Sequence, residues 1–234
     1  MKDEKLDAAI SPADAVRDFE CVMQPDPRNT YFSVIEQGQP RPVTLQDRVD
    51  AVAPYVLSPA VPESVRVHFE TAKNLYVYAW FVYRFYPVAE QQALATLEFA
   101  LRERLIVLDA VKRADEWVPG LRKLLKDALV RGLIGNNRFP NRERWALGIA
   151  KHRFDFAQIA EMTRLGLTEM AIDYSTVVPT QQDLDHDWIG AFIEGLPKIR
   201  NAYAHGSEML NPAAVLRTFE IVCDLVNQLF TPRS

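Results

Sequence analysis

Apolar residues along this chain return mostly at intervals of three and four, the spacing that gathers side chains on one face of an α-helix. Strict alternation never lasts beyond four or five residues, and neither Asn-Gly nor Asp-Gly, the commonest hairpin dipeptides, occurs. The clearest helix is the last. Asn211 offers an N-cap oxygen, Pro212 suits the first helical position, and Leu216, Phe219, Ile221, Val222, Leu225, Val226 and Leu229 make a stripe that runs on to Phe230. The longest periodic run covers 63–111. Phe69, Ala72, Tyr76, Ala79, Trp80 and Tyr83 share one stripe, and Leu94, Leu97, Leu101, Leu105 and Leu108 share another. Pro87 between them predicts a kink or a split into two helices.

Further helices are expected over 44–57, with Leu45, Val49, Val52, Ala53 and Val56 on one face, and over 121–134. Others are expected over 144–166, either whole or broken, then 188–196 and 197–206. The turn Ser58-Pro59-Ala60-Val61-Pro62 closes the first of these. Residues 1–43 carry Pro12, Pro25, Pro27, Pro40 and Pro42 among many polar side chains. They read as irregular, apart from one short helix from Pro12 to Val22 entered at Ser11. The expectation is an all-α protein: an up-and-down helical bundle over 63–234 behind an N-terminal extension over 1–62 with one or two short helices.

Composition narrows the function classes. A chain of 234 residues that is 48% hydrophobic can bury one sizeable core and does not fit bulk disorder. Its two cysteines, Cys21 and Cys223, stand near opposite ends, which fits neither a disulfide framework nor a metal-ligand spacing. The charged start Met1–Lys5 leads into no apolar signal segment. The most apolar stretch, Leu75–Ala89, is interrupted by Arg84 and Pro87 and falls short of the ~20 residues a membrane span needs. The expectation is a cytoplasmic protein with no membrane partner. GxSxG, GxGxxG, HExxH, CxxC and the P-loop pattern are all absent from the sequence, so no cofactor or metal is expected.

Charge is distributed unevenly. The formal net charge is −4, yet residues 112–153 hold eleven Lys/Arg against four Asp/Glu, while both flanks are acidic. Arg138, Arg142, Arg144, Lys151 and Arg153 in that segment are candidates for contacting a polyanion such as RNA. The same cations also suit pairing with the acidic flanks.

One constellation carries chemistry: Arg200-Asn201-Ala202-Tyr203-Ala204-His205, followed by a helix-ending Gly206. Arginine clamps phosphate oxygens, and histidine exchanges protons near neutral pH. Together they suit activation of a ribose 2′-hydroxyl beside a phosphate. On a continuous helix five residues turn through about 500°, so one such pair makes a poor site unless the helix ends near Ala204 or a second copy supplies the partner residue.

That segment resembles the hallmark of the HEPN superfamily (higher eukaryotes and prokaryotes nucleotide-binding domains): Arg, a polar residue, three more residues, then His. The likeness extends to the arrangement over about 66–231, with two long helices, an element in the basic middle, the motif helix and a closing helix. It implies a HEPN-like bundle and a metal-independent ribonuclease or RNA-directed effector of toxin–antitoxin, abortive-infection or RNA-processing systems. Arg200 would contact the scissile phosphate, His205 would serve as acid/base or stabiliser, and Asn201 would position them. It further implies a homodimer, with an antitoxin or other partner protein. The alternative is a module that has lost activity and binds a protein or nucleotide. The N-terminal extension and an insertion near 140–185 lie outside the compact family pattern. Glu98 and Arg102, four residues apart, read either as a plain helix ion pair or, with Tyr203, as side chains that orient Arg200.

Two other patterns read as structure. Asp183, Asp185, Asp187 and Glu194 fall at calcium-loop spacing, but Trp188 occupies the position where such a loop needs glycine. An acidic first turn of a helix explains them better. Gly132-Leu133-Ile134-Gly135 matches a GXXG clamp in letters only, and a helix C-terminus accounts for it.

Overall fold

The computed structural model describes residues 13–109, 119–204 and 211–231. Among them are eight α-helices: α1 Leu45–Val52, α2 Glu63–Tyr78, α3 Phe85–Asp109, α4 Leu121–Val130, α5 Arg142–Leu165, α6 Gln181–Leu184, α7 Trp188–Ala204 and α8 Pro212–Phe230. The protein is an all-α bundle. Helix α3 is its axis: α2 and α8 pack along it, and α4 and α7 pack on it and on each other. No helix among the described residues is long and apolar enough to cross a membrane.

Helix α8 forms as its sequence dictates. Asn211 Oδ1 accepts from Ala213 N–H, Pro212 opens the helix, and Phe219, Val222, Leu225, Val226 and Leu229 are buried. Phe219 meets Phe69 and Tyr76 edge-on, which joins α8 to α2. The expected stripes of α2 and α3 are the core itself: Phe69, Ala72, Tyr76, Leu94, Leu97 and Leu101 have essentially no exposed surface. The break between them falls over 79–84 rather than at Pro87. Pro87 is the third residue of α3, where an amide hydrogen would have no intrahelical acceptor, so the ring costs nothing there.

Glycine ends the next two helices. At α4, Gly132 takes φ +64° and Leu133 N–H reaches back to Ala128 O at 2.8 Å. The helix therefore ends at Val130, short of Ile134. Helix α5 is unbroken and stops at Gly166, φ +66°, where Leu167 N–H meets Met162 O. Trp145 anchors its first turns against Phe139, Trp188 and Phe192. Helix α7 is one element. Pro197 lies inside it and leaves Ile193 O without the amide donor of residue 197.

The N-terminal part departs most from expectation. Over the described residues 13–22 the chain forms turns and irregular structure, not a helix, and Val16 and Phe19 are almost wholly exposed. A segment with no apolar face to bury gains too little from helix formation to offset nucleation. Ser11 and Pro12 lie outside the described residues. A hairpin, β1 Ser33–Glu36 and β2 Gln39–Pro42, turns at Gln37-Gly38 with φ +51° and +79°. Gln-Gly is a weaker turn signal than Asn-Gly, so this hairpin is not expected from the sequence. Helix α1 begins at Thr44 with a reciprocal Thr44–Asp47 cap but ends at Val52, because Pro54 cannot donate and restricts Ala53. Its inward face carries Arg48 and Val52, whereas Leu45, Val49 and Val56 are exposed. Val52, Leu57 and Val61 join the core, and Ser58 N–H donates to Asn227 Oδ1 at 2.7 Å.

Candidate nucleic-acid interface

Helix α7 buries Trp188, Ile189, Phe192, Ile193 and Leu196 against the bundle. That repeat leaves Lys198, Arg200 and Asn201 on its outer side, all exposed. Helix α4 is built the same way: Leu121, Leu124, Leu125 and Ala128 are buried, which turns Arg122, Lys123 and Lys126 outward. Because α4 and α7 are neighbours, their polar faces meet. Between them lies an open groove of about 560 Å³, lined by Gly120, Leu121, Arg122, Lys123, Lys126, Pro197, Lys198, Arg200 and Asn201. Gly120, the N-cap of α4, has no side chain to cap the first-turn amides.

Arg200 is braced from below. The Glu98 side chain on α3, 8% exposed, accepts from Arg102 Nη2 and stands 3.3 Å from Arg200 Nη2. One buried carboxylate thus faces two arginines from two helices. At the groove rim Arg122 pairs with Glu194 at 3.1 Å. Among the described residues no carboxylate pairs with Lys123, Lys126 or Lys198. His205 lies outside the described residues, as does the side chain of Tyr203.

The five cations expected to contact RNA are not in this groove. The Arg138 guanidinium donates to Leu133 O at 2.8 Å and Gln228 O at 3.0 Å, tying the loop after α4 to the end of α8. Arg144 pairs with Glu220, which also accepts from Trp145 Nε1. Arg153 forks onto both oxygens of Asp183 at 2.6 and 2.8 Å, and this contact holds the Asp183 carboxyl far below the usual range. Lys151 lies over the Tyr174 ring at 5.2 Å, and Arg142 is half-buried in the first turn of α5. The acids of the calcium-like spacing have structural partners. Asp183 caps α6 with Thr180, and Asp187 accepts from Gly190 N–H and Asn136 Nδ2.

The motif thus places Arg200 and Asn201 at the groove, and Glu98 and Arg102 behind them. The α4 cations were within the basic middle segment by count, but their polar-face spacing did not show that α4 lies against α7. The apolar area offered by 75–86 and by α8 for a dimer is mostly used by the chain itself: Tyr76, Ala79, Tyr83 and Tyr86 are buried, as is most of α8. Comparison with protein-family models, curated proteins and solved structures finds no match in any of the three.

Proposed function

We propose that the chain is a metal-independent RNA endonuclease, or RNA-directed effector, of the HEPN type and of the toxin or defence kind. The observation that carries this reading is the position of Arg200 and Asn201 in a groove whose other charged lining residues are Arg122, Lys123, Lys126 and Lys198. In this reading the ribose 2′-hydroxyl attacks the adjacent phosphorus, and the bond to the 5′-oxygen breaks. Arg200 stabilises the charge on the phosphoryl oxygens, and His205 moves the proton between the attacking and leaving oxygens. The products are a 2′,3′-cyclic phosphate and a 5′-hydroxyl. Asn201 positions the phosphate, and Glu98 fixes the guanidinium of Arg200. Cytoplasmic action, a homodimer and an antitoxin or other partner belong to the same proposal, which rests on the motif resemblance together with the groove.

One observation favours a second reading. Arg200 already has a carboxylate partner in Glu98, as suits a non-catalytic module that binds a nucleotide or a partner protein. Incubation of single-stranded RNA with the purified chain in EDTA separates the two. The endonuclease reading expects cleavage ending in cyclic phosphate, abolished in Arg200→Ala and His205→Ala variants that keep the wild-type circular dichroism and melting curve. Cleavage retained by both variants, or lost to EDTA, would overturn it.

A further inference from the structure

We infer that the α4–α7 groove is the track for the sugar–phosphate backbone of a single RNA strand, with Lys123, Lys126 and Lys198 as its phosphate contacts and no reading of bases. The inference rests on the RNA reading above and names how that site takes its substrate.

Charge is the first ground. Elsewhere cations on helices pair with acids one turn away, as the exposed Arg164 does with Glu161 and the half-buried Lys73 with Glu70. Here five cations from two helices converge, and among the described residues only Glu194 and Glu98 come forward to meet them, on Arg122 and Arg200. Three ammonium groups facing one concavity repel one another, and a polyanion that enters removes the repulsion and releases its own counterions.

Size and lining supply the rest. A groove of about 560 Å³ is the size of a small-ligand site. From Arg122 to Lys126 the helix rises only about 6 Å. Duplex RNA is read across successive minor grooves by much longer surfaces, so a single strand fits this dimension and a duplex does not. Among the described residues no aromatic side chain lines the groove, so the contacts those residues offer are to phosphates rather than to base faces. Three arginines of 138–153 are committed elsewhere: Arg138 to two carbonyls, Arg144 to Glu220 and Arg153 to Asp183.

Fluorescence anisotropy of a labelled oligodeoxyuridylate, which lacks the 2′-hydroxyl and cannot be cut, tests the track in the full chain. Lys123→Glu/Lys126→Glu should weaken binding at least about tenfold at low salt. It should also reduce the slope of log affinity against log salt by about 1.4, two single-strand phosphate contacts' worth. Arg142→Glu/Lys151→Glu, outside the groove, should bind as wild type does, and an unlabelled duplex RNA of equal length should compete poorly. Should the glutamate variant fail to fold, Lys123→Gln/Lys126→Gln carries the same test with about half the effect on affinity. Wild-type affinity and slope in the groove variant, a larger loss in the comparator, or equal competition by the duplex each overturn the track. If the oligomer binds through the groove but ribo-oligomers are never cut, the endonuclease reading falls and the track stands. If ribo-oligomers are cut in an Arg200-dependent way while the groove variant keeps its KM and salt slope, the track falls and the endonuclease stands.

Discussion

The N-terminal segment and the α4–α7 groove both gather charge, and they treat it in opposite ways. Under the N-terminal segment, Asp26 is fully buried and accepts from Arg28, Arg17 and the Tyr83 amide. Asn29, equally buried, donates to Ala79 O and Trp80 O and accepts from Arg48 and Tyr86. Arg48 also stacks over Phe32 and Tyr86. These side chains bind the segment to the connection between α2 and α3, and the charge of Asp26 is met by arginines of the chain itself. In the groove, Lys123, Lys126 and Lys198 find no carboxylate among the described residues. Charge that is matched inside the chain builds the fold, and charge left unmatched in a concave surface is available to something outside it.

The contrast can be broken most forcefully at Asp26. Replacing it with alanine removes the carboxylate shared by the Tyr83 amide, Arg28 and Arg17, and leaves Arg28 only Asp14 and Ala13 O, and Arg17 only Gln24 O, as side-chain hydrogen-bond acceptors among the described residues. The variant should lose about 3–5 kcal/mol of stability in urea denaturation, the usual cost of breaking a buried pair. Acid should act on the same region. Burial by itself would raise the Asp26 pKa, but the Arg28 hydrogen bond and the Tyr83 and Arg28 amides outweigh it and lower the value. Asp14, bonded to Arg84 and Arg28, is lowered to about 2. Both carboxylates therefore contribute stability that is complete above their ordinary value of 3.8 and disappears as pH falls through the folded values. Melting temperature should drop between about pH 4 and 2, and less steeply in Asp26→Ala.

Glu98 belongs to both kinds of region, and its removal should have an intermediate effect. Glu98→Gln should cost about 1 kcal/mol, because Arg102 and Arg200 are partly exposed and water replaces much of what they lose. The same change should tighten oligonucleotide binding about threefold by withdrawing a negative charge from the groove. Unchanged affinity in anisotropy would place Glu98 with the structural charges alone. The smallest expected effect has the opposite sign. Lys126→Gln removes a repelling cation and should raise the melting temperature by about 1 °C, a gain of a few tenths of a kcal/mol, while weakening binding. A fall in melting temperature would mean that Lys126 supports the fold.

What the sequence disclosed follows the same division. Local rules were enough for α8, where Asn211 and Pro212 mark the start and a complete stripe follows. They were also enough for the core faces of α2 and α3. They failed where a distant partner decides the outcome. Arg48 on the inward face of α1 makes sense only beside Asn29 and Tyr86, and the turn at Gln37-Gly38 is held by its strands more than by its residue types. The motif pointed to Arg200 and Asn201, and the spacing of Glu98 and Arg102 to an ion pair. That Glu98 also reaches Arg200 depends on how α3 and α7 pack. For the basic middle the count of charges was visible, but Glu220 and Asp183, which take Arg144 and Arg153, lie 76 and 30 residues further on.

The two thiols make this molecule a ready-made spectroscopic sample. Cys21 is exposed beside the N-terminal segment, whereas Cys223 is buried in α8, where burial and the neighbouring Asp224 push its pKa up to about 12. A maleimide dye at neutral pH therefore attaches at Cys21 alone in the folded chain, with no engineered cysteine needed. Its fluorescence follows the N-terminal segment, and modification of the second thiol, counted by mass, follows the opening of the core. One labelling reaction then reports in two separate channels whether the segment detaches before the bundle melts or together with it.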